Sequence, residues 1–298
     1  MFQRIVVGVD EHEGGRDAIA LAKNLLAPDG EITLAHVLAH DGHGHRGPSA
    51  AYEASGWASA AELLEKVRDD ARVEAHLRWH ASGSVGRGLH EICELIGADL
   101  LTVGSSRPGL LGRVLLGNDT QAALDGAPCA IAIAPANYSR EPVAVREIGV
   151  GYNGTPESEH ALELARRLAA GTGARLSAFE AVSLSTSRFE ARLFRLSDAV
   201  DTLVKEARER LTALAGVEAH AAYGDAAEEL ALYSASLDLL VVGSRGYGPL
   251  GRMMHGSTSR KLTRMARCPL LVLPRSARVM ADGAAEKTGR EPAVGVKG

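Results

Sequence analysis

The chain has 298 residues, of which 46% are hydrophobic, 23% charged and 4% aromatic, and its net charge is −4. This length predicts two globular domains, while the mild acidity and the few aromatic rings argue against a nucleic-acid binder and against stacking platforms for bases or sugars. No apolar run reaches the about 18 residues that a membrane span needs, and no signal peptide precedes the first strand-like segment, so we expect a cytoplasmic protein.

The first part of the chain alternates between strand-like and helix-like segments. Short apolar runs predict strands at 4–9, 31–38, 73–80, 100–103 and 129–134, and apolar residues at helical spacing predict helices at 15–27, 50–72, 88–97 and from about 120. Such alternation is typical of right-handed βαβ units, which build a parallel sheet with helices on both faces. Ligands bind to such sheets beyond the carboxyl ends of the strands.

The same alternation returns after a linker at 136–146. It predicts strands near 147–152, 174–182, 217–222, 239–242 and 270–273, and helices near 156–170, 188–214, 226–236 and 257–267. Residues 276–298 are rich in Pro, Gly, Ala and mixed charges without periodicity, so we expect a flexible tail there.

Sequence identity between the two parts indicates a duplication. The segment Asp99–Ser105 (DLLTVGS) matches Asp238–Ser244 (DLLVVGS) at an offset of 139 residues. A period near 140 residues is too long for a solenoid unit and corresponds to a whole domain. We therefore expect one domain at 1–137 and a second at 144–275.

Charge is distributed unevenly between the two copies. Residues 1–141 carry a net charge of −7, whereas residues 142–274 carry +1. No Asp or Glu occurs between Asp238 and Asp282, a stretch that holds Arg245, Arg252, Arg260, Lys261, Arg264 and Arg267. This one-sided stretch indicates an anionic partner or a structural role for the cations.

The segment Gly243–Ser259 leaves a predicted strand and enters a predicted helix. Its glycines would let backbone N–H groups approach an anion, and the hydroxyls of residues 257–259 lie at the helix start, where they can cap the helix or bind phosphate. A nucleoside triphosphate fits this pattern, and a purely structural glycine loop is the alternative. The match of 246–251 to GxGxxG follows the wrong strand and contains Pro249, so we reject an NAD fold.

The spacing Gly243-x2-Gly246-x9-Gly256-Ser257 matches the nucleotide-binding signature of universal stress proteins, G-x2-G-x9-G-[S/T], and the resemblance covers roughly residues 1–275. It implies two tandem α/β domains of the adenine-nucleotide α-hydrolase-like, Rossmann-like type, each a five-stranded parallel sheet in the order 3-2-1-4-5. It further implies a stress-response regulatory protein that binds ATP with little or no turnover and has a regulatory protein partner of unknown identity. The sequence leaves open whether Mg²⁺ accompanies the ATP.

The resemblance also implies site residues. In the second copy they are Asn153, Gly154, Val182, Val242, Gly243, Arg245, Gly246, Gly256, Ser257, Thr258 and Ser259. In the first copy a weaker set comprises Asp10, Val37, Gly104 and Gly117. There, Arg107, Asn118 and Asp119 replace the second glycine and the hydroxyl residues, so we expect the second copy to hold the nucleotide. Asn153 stands where family members carry Asp and can hydrogen-bond without a charge.

Other features leave alternatives open. The histidines of 40–45, with Asp41, could bind a transition metal but are more typical of a polar loop, and His255 beside Gly256 could be an acid/base or a loop residue. Three widely spaced cysteines indicate reduced, packed thiols. A slow ATPase or nucleotidyl transferase, which would release ADP or pyrophosphate, and a ligand-free interaction module remain alternative functions. The apolar fifth strands could pair as an internal dimer, and a further homodimer is not readable.

Overall fold

Five strands and three helices are seen in the described residues of the first half of the chain. A computed structural model describes residues 1–10, 14–39, 50–105, 123, 126–183, 196–244, 257–274 and 295–297. The first-half elements are β1 (Phe2–Gly8), α1 (Gly14–Leu25), β2 (Leu26–Ala39), α2 (Ala50–Ala71), β3 (His76–Ser82), α3 (Val85–Ile96), β4 (Leu100–Gly104) and β5 (Ala130–Ala134). The helix predicted from about residue 120 lies almost wholly outside the described residues.

The second half repeats this order. Its elements are β6 (Glu147–Gly151), α4 (Pro156–Thr172), β7 (Arg175–Val182), α5 (Leu196–Thr212), β8 (Glu218–Tyr223), α6 (Ala226–Tyr233), β9 (Leu239–Ser244), α7 (Ser257–Met265) and β10 (Leu270–Pro274). The start of the helix predicted at 188–214 lies outside the described residues, and α5 is its described part. None of the described helices is long and apolar enough to cross a membrane.

All strands among the described residues belong to one sheet in the order β11-β3-β2-β1-β4-β5-β10-β9-β6-β7-β8, where β11 (Gly295–Lys297) is a short C-terminal strand. Each half therefore has the order 3-2-1-4-5 with parallel neighbours, as expected. Most of the predicted tail lies outside the described residues, but β11 pairs antiparallel with β3. A short strand thus ends a segment that was predicted to lack regular structure.

The two halves join through their fifth strands. Strands β5 and β10 pair antiparallel, with Ala132 opposite Leu271 and Ile133 opposite Leu270. At the repeat offset of 139 residues, Ala132 and Leu271 are each other's counterparts, so the pairing is centred on a pseudo-twofold axis. The antiparallel join turns the carboxyl ends of the two sets of strands to opposite edges of the sheet. The internal pairing that the apolar fifth strands suggest is therefore present.

The repeated aspartate of the DLL motif has a structural role in both halves. The carboxylate of Asp99 accepts hydrogen bonds from the backbone N–H groups of Gln3 (2.8 Å) and Arg4 (2.9 Å). Asp238 accepts from the N–H groups of Arg146 (2.9 Å) and Glu147 (3.0 Å) in the same way. Each aspartate thus anchors the start of the first strand of its half next to the fourth.

Candidate functional site

A cavity of about 130 Å³ opens in the first half, at the carboxyl ends of β1, β2 and β4. Its lining brings together Asp10, Val37 and Gly104, three of the four first-half candidates, with apolar walls that include Val85 and Leu89. The fourth candidate, Gly117, lies outside the described residues. Asp10 is solvent-exposed whereas Val37 is buried, so a carboxylate stands at the mouth of a largely apolar cavity.

His36 also lines this cavity, and the sequence analysis did not single it out. The backbone N–H of Val9 donates to the carbonyl of Ala35 (2.8 Å), and Nδ1 of His36 lies 2.8 Å from the carbonyl oxygen of Val9. Because a carbonyl only accepts, Nδ1 is the donor in this contact. The sequence could have indicated His36, because it directly precedes the candidate residue Val37 in the second strand.

Gly104 is the last residue of β4 and Gly243 is the last but one of β9, and both are required by packing. A Cβ at Gly104 would lie 1.9 Å from the carbonyl oxygen of Gly14, and one at Gly243 would lie 2.3 Å from that of Glu157. Real Cβ atoms do not approach backbone this closely, so the first turn of the helix after the first strand, α1 in one half and α4 in the other, can pass only over a glycine. The first glycine of the nucleotide motif therefore has a structural role independent of phosphate binding.

Asn153 follows β6 on the exposed carboxyl edge of the second half. Its side-chain Oδ1 accepts hydrogen bonds from Thr155 Oγ1 (2.7 Å) and from the Thr155 backbone N–H (3.3 Å). Gly154 between them has a φ of +69°, a left-handed conformation that favours glycine, and Thr155 caps α4. Asn153 therefore has only its Nδ2 donor to offer, whereas an aspartate would also accept.

The pairing of strands identifies Ala181 rather than Val182 as the counterpart of Val37. Gly8 pairs with Ala35 and Gly151 pairs with Phe179, so the residue two positions beyond is Val37 in one half and Ala181 in the other. Val182 is buried, and its carbonyl accepts the N–H of Gly224 (3.0 Å). A one-residue slip moves a side chain to the other face of a sheet, so Val182 and Val37 face opposite helical layers.

Aromatic rings replace the first-half cavity lining in the second half. Phe179 is the counterpart of Ala35, and its ring stacks on that of Tyr233 with a centroid distance of 4.8 Å. Burial raises the pKa of Tyr233 to about 12. The second half therefore has a large aromatic side chain at the strand position where the first-half cavity is lined by a methyl group.

The phosphate part of the predicted site is described only at its helical end. Helix α7 begins at Ser257; Thr258 is partly exposed, Ser259 is buried, and Val242 is buried at the end of β9. Lys261 in the second turn lies 3.2 Å from Asp225, the N-cap of α6, and this contact contributes most to lowering the pKa of that carboxyl. Arg245, Gly246 and Gly256 lie outside the described residues, as do Arg252 and His255.

The tyrosine that precedes Asn153 stays neutral at physiological pH. Burial, followed by its hydrogen bond to the Glu159 carboxylate, raises the pKa of Tyr152 to about 12. The three cysteines are buried free thiols, consistent with packing. Within the described ranges no cluster of three or more His, Cys, Asp or Glu side chains could hold a metal, and the histidines of 40–45 fall outside these ranges.

Comparison with known proteins agrees with the tandem arrangement of two domains. A model of the universal stress protein family matches residues 1–135 and again residues 144–274. A universal stress protein of Mycobacterium tuberculosis is 27% identical over 232 residues, which cover 72% of this chain and 77% of the relative. A universal stress protein of Thermus aquaticus is 32% identical over 135 residues, 98% of its own length and 43% of this chain.

A solved structure supports the arrangement of the whole chain. The crystal structure of a universal stress protein from Archaeoglobus fulgidus covers 91% of this chain and 98% of its own, with a TM-score of 0.67 and 18% sequence identity. At this identity the likeness concerns the fold. The long shared length shows that the tandem architecture recurs in another chain.

Proposed function

Because the chain belongs to the universal stress protein family, with two copies of the family domain in tandem, we propose that it is a stress-response regulatory protein that binds ATP. The second half is the main nucleotide site, and turnover is slow or absent. A partner protein, whose identity is unknown, responds to the conformation that the bound nucleotide stabilises.

The proposal rests mainly on the position at which helix α7 begins. The helix starts at Ser257, the residue that closes the glycine motif, at the carboxyl end of β9. A helix N-terminus presents unpaired N–H groups and a positive dipole end, which together favour phosphate. Arg260 and Lys261 are exposed in its first turns, and the helix contains no acidic residue.

Each described residue would have a limited part in holding the nucleotide. Nδ2 of Asn153 can donate to a ribose hydroxyl oxygen, and Thr258 can donate its hydroxyl to a phosphate. Lys261 already pairs with Asp225, so it contributes to the positive field without being free to clamp a phosphate. Mg²⁺ would enter with the triphosphate, whose charge it partly neutralises.

The proposed division between the halves follows from charge in the motif. In the first half, Asp119 takes the place that Thr258 has at the start of α7. A carboxylate a few ångströms from a phosphate costs on the order of 1–4 kcal/mol in effective interaction energy. The first-half cavity, with its apolar walls and Asp10, suits a less charged ligand.

Slow turnover is supported by the titration of the groups near the second-half edge. A general base is most effective when its pKa lies near the working pH. Tyr152 has a pKa of about 12, and Lys261 holds that of Asp225 below its ordinary value. Neither group is suited to activate water at neutral pH.

Isothermal titration of the full chain with ATP tests the proposal. We expect one ATP per chain, and no comparable site in the first half. Gly246→Asp should raise the Kd by about 100-fold, because its carboxylate would face the phosphates at a cost on the order of 3 kcal/mol. Arg107→Asp, the same side chain at the equivalent first-half position, is the matched control and should leave the Kd unchanged. Two equal sites, or equal effects of both variants, would contradict the proposal.

A further inference from the structure

The two edge regions of the sheet differ in how far the third strand of each half is covered. At the first-half end, β11 pairs antiparallel with β3, and Leu77, Trp79 and Ser82 of β3 are buried. At the second-half end, no residue of β8 is buried, and no strand pairs with its outer side within the described parts of the chain. Open strand edges invite pairing with another chain, and proteins normally cover or charge them.

Side chains near the two ends of the sheet also differ in polarity. In the first half, Glu91 on α3 meets β3, the strand next to β11, through His80 Nε2 (2.7 Å) and Ser82 Oγ (3.2 Å). The residue at the same distance from its helix cap on α6 is Leu232, whose exposed fraction is 56%. Tyr223 at the end of β8 is also exposed. A polar network therefore borders one edge, and an exposed apolar side chain occupies the corresponding position at the other.

The backbone of β8 has a defined set of outward groups. The N–H of Gly224 donates inward to the carbonyl of Val182 on β7 (3.0 Å). Because successive residues of a strand turn their N–H and C=O groups to opposite sides, Ala219, Ala221 and Tyr223 present theirs outward. These three residues form a short hydrogen-bonding edge with small side chains at its centre.

We propose that β8 is an interface with a second copy of this chain, whose own β8 adds antiparallel about a twofold axis through Ala221. This register pairs Ala221 with itself and Ala219 with Tyr223, so all outward groups are matched. It sets Glu218 opposite Gly224 and His220 opposite Ala222, so no like charges meet across the axis.

We favour a second copy of this chain as the partner of β8 because antiparallel strand pairing about a twofold axis already joins the two halves. Strands β5 and β10 pair antiparallel about a pseudo-twofold axis through Ala132 and Leu271, and this pairing consumes both fifth-strand edges. A closed twofold contact between identical strands is self-complementary and does not propagate into fibres. The outer edge β8 then continues the sheet from one chain into the next.

Sedimentation velocity of the full chain tests this interface. We expect a dimer, and we expect Ala221→Pro, which removes only an outward N–H, to shift it to monomer. Leu232→Glu places at this position the residue type of Glu91 and should also weaken the dimer. Leu95→Glu, at an equally large exposed leucine of the first half (44%), is the matched control and should remain dimeric. A monomeric wild type, or a dimer insensitive to both β8-side variants, overturns the proposal.

A crosslinking variant tests the register and does not depend on the proline variant folding. Directly opposed, hydrogen-bonded residues have Cα atoms about 5.5 Å apart, within disulfide reach. Ala221→Cys should therefore give a disulfide-linked dimer on mild oxidation, while Ser236→Cys, at an exposed position on the same half, should not. The native cysteines are buried, which limits their background. Equal crosslinking of both variants, or of neither, would show that β8 does not pair with the β8 of a second copy. The open edge of β8 would then be assigned to strand addition by another protein.

Discussion

The two halves of the molecule share a backbone plan and differ in the side chains at their carboxyl edges. Both carry a glycine near the carboxyl end of the fourth strand, over which the first turn of a helix passes, and both anchor the first strand with an aspartate. At the carboxyl ends of the strands, however, the equivalent positions differ: Phe179 of the second half corresponds to Ala35 of the first, and Glu180 corresponds to His36. The residues that fix strand and helix geometry were kept in both copies, while those that would touch a ligand diverged.

The largest effects should come from the shared glycines. Gly104→Ala and Gly243→Ala each place a Cβ within 2.3 Å of a backbone carbonyl oxygen, which the helix can relieve only by moving. We expect each to lower the free energy of unfolding by at least about 3 kcal/mol, measured by urea denaturation. Gly216→Ala, at a φ of +70° with no atom within 4 Å of the added Cβ, should cost only about 1 kcal/mol.

The glycine prediction also sharpens the functional comparison. If Gly243→Ala were as mild as Gly216→Ala, the glycine would be present for phosphate approach and not for packing. Since the structure gives it a packing role in both halves, its presence in the first half does not indicate a ligand there. Gly246→Asp is therefore the better probe of binding, because the first half carries Arg107 at that position.

A second effect should separate the halves. Asp17 is buried on α1 and accepts hydrogen bonds from the linker: the backbone N–H of Asn137 (2.9 Å), that of Ser139 (2.8 Å) and Ser139 Oγ (2.6 Å). Asp17→Ala leaves these donors without a partner, so we expect a loss of about 2–4 kcal/mol in urea denaturation. His160, its exposed counterpart on α4, should tolerate alanine within about 0.5 kcal/mol. Similar losses at both positions would mean that the linker is not held by Asp17.

Much of the fold could be predicted because buried parallel strands are apolar runs and the chain repeats its own pattern. Helix and strand ends were less accurate where backbone pairing, not side-chain polarity, sets them. Strand β2 begins at Leu26 because that residue pairs with Phe2, although the apolar run starts later. Helix α3 begins at Val85 because Ser84 caps it, ahead of the periodic apolar residues.

For the candidate site, the sequence indicates which strand ends carry the residues but not their atomic contacts, and their part in ligand binding stays a prediction. The sequence locates Asn153 beyond β6, yet it cannot tell that Oδ1 is already bonded to Thr155. It offers Val182 as the end of the second strand, and only the pairing with β6 shows that Ala181 faces the same layer as Val37. Such details depend on contacts between elements far apart in sequence, which periodicity does not encode.

The smallest predicted effect concerns pH and the polar network beside β3. Burial of the Glu91 carboxyl acts to raise its pKa, but hydrogen bonds from Arg87, His80 and Ser82 outweigh it, so the pKa lies below its ordinary value of 4.5. A lowered folded-state pKa contributes stability above the unfolded-state value, and this contribution is lost as the pH falls through the folded-state value. Acid should therefore weaken the first half at this position.

Glu91→Gln isolates this contribution. At pH 7 we expect the variant to lose roughly 0.5 kcal/mol of unfolding free energy, a value reduced by solvent screening because the carboxylate is 36% exposed. At a pH below the folded-state pKa of Glu91 the difference from wild type should shrink, since both side chains are then uncharged. Leu232→Gln, the equivalent change beside β8, alters no titrating group and should have the same effect at both pH values. Parallel pH profiles of the two variants would show that the network beside β3 adds no charge-dependent stability, and the contrast between the two edges would then rest on β11 and on Leu232 alone.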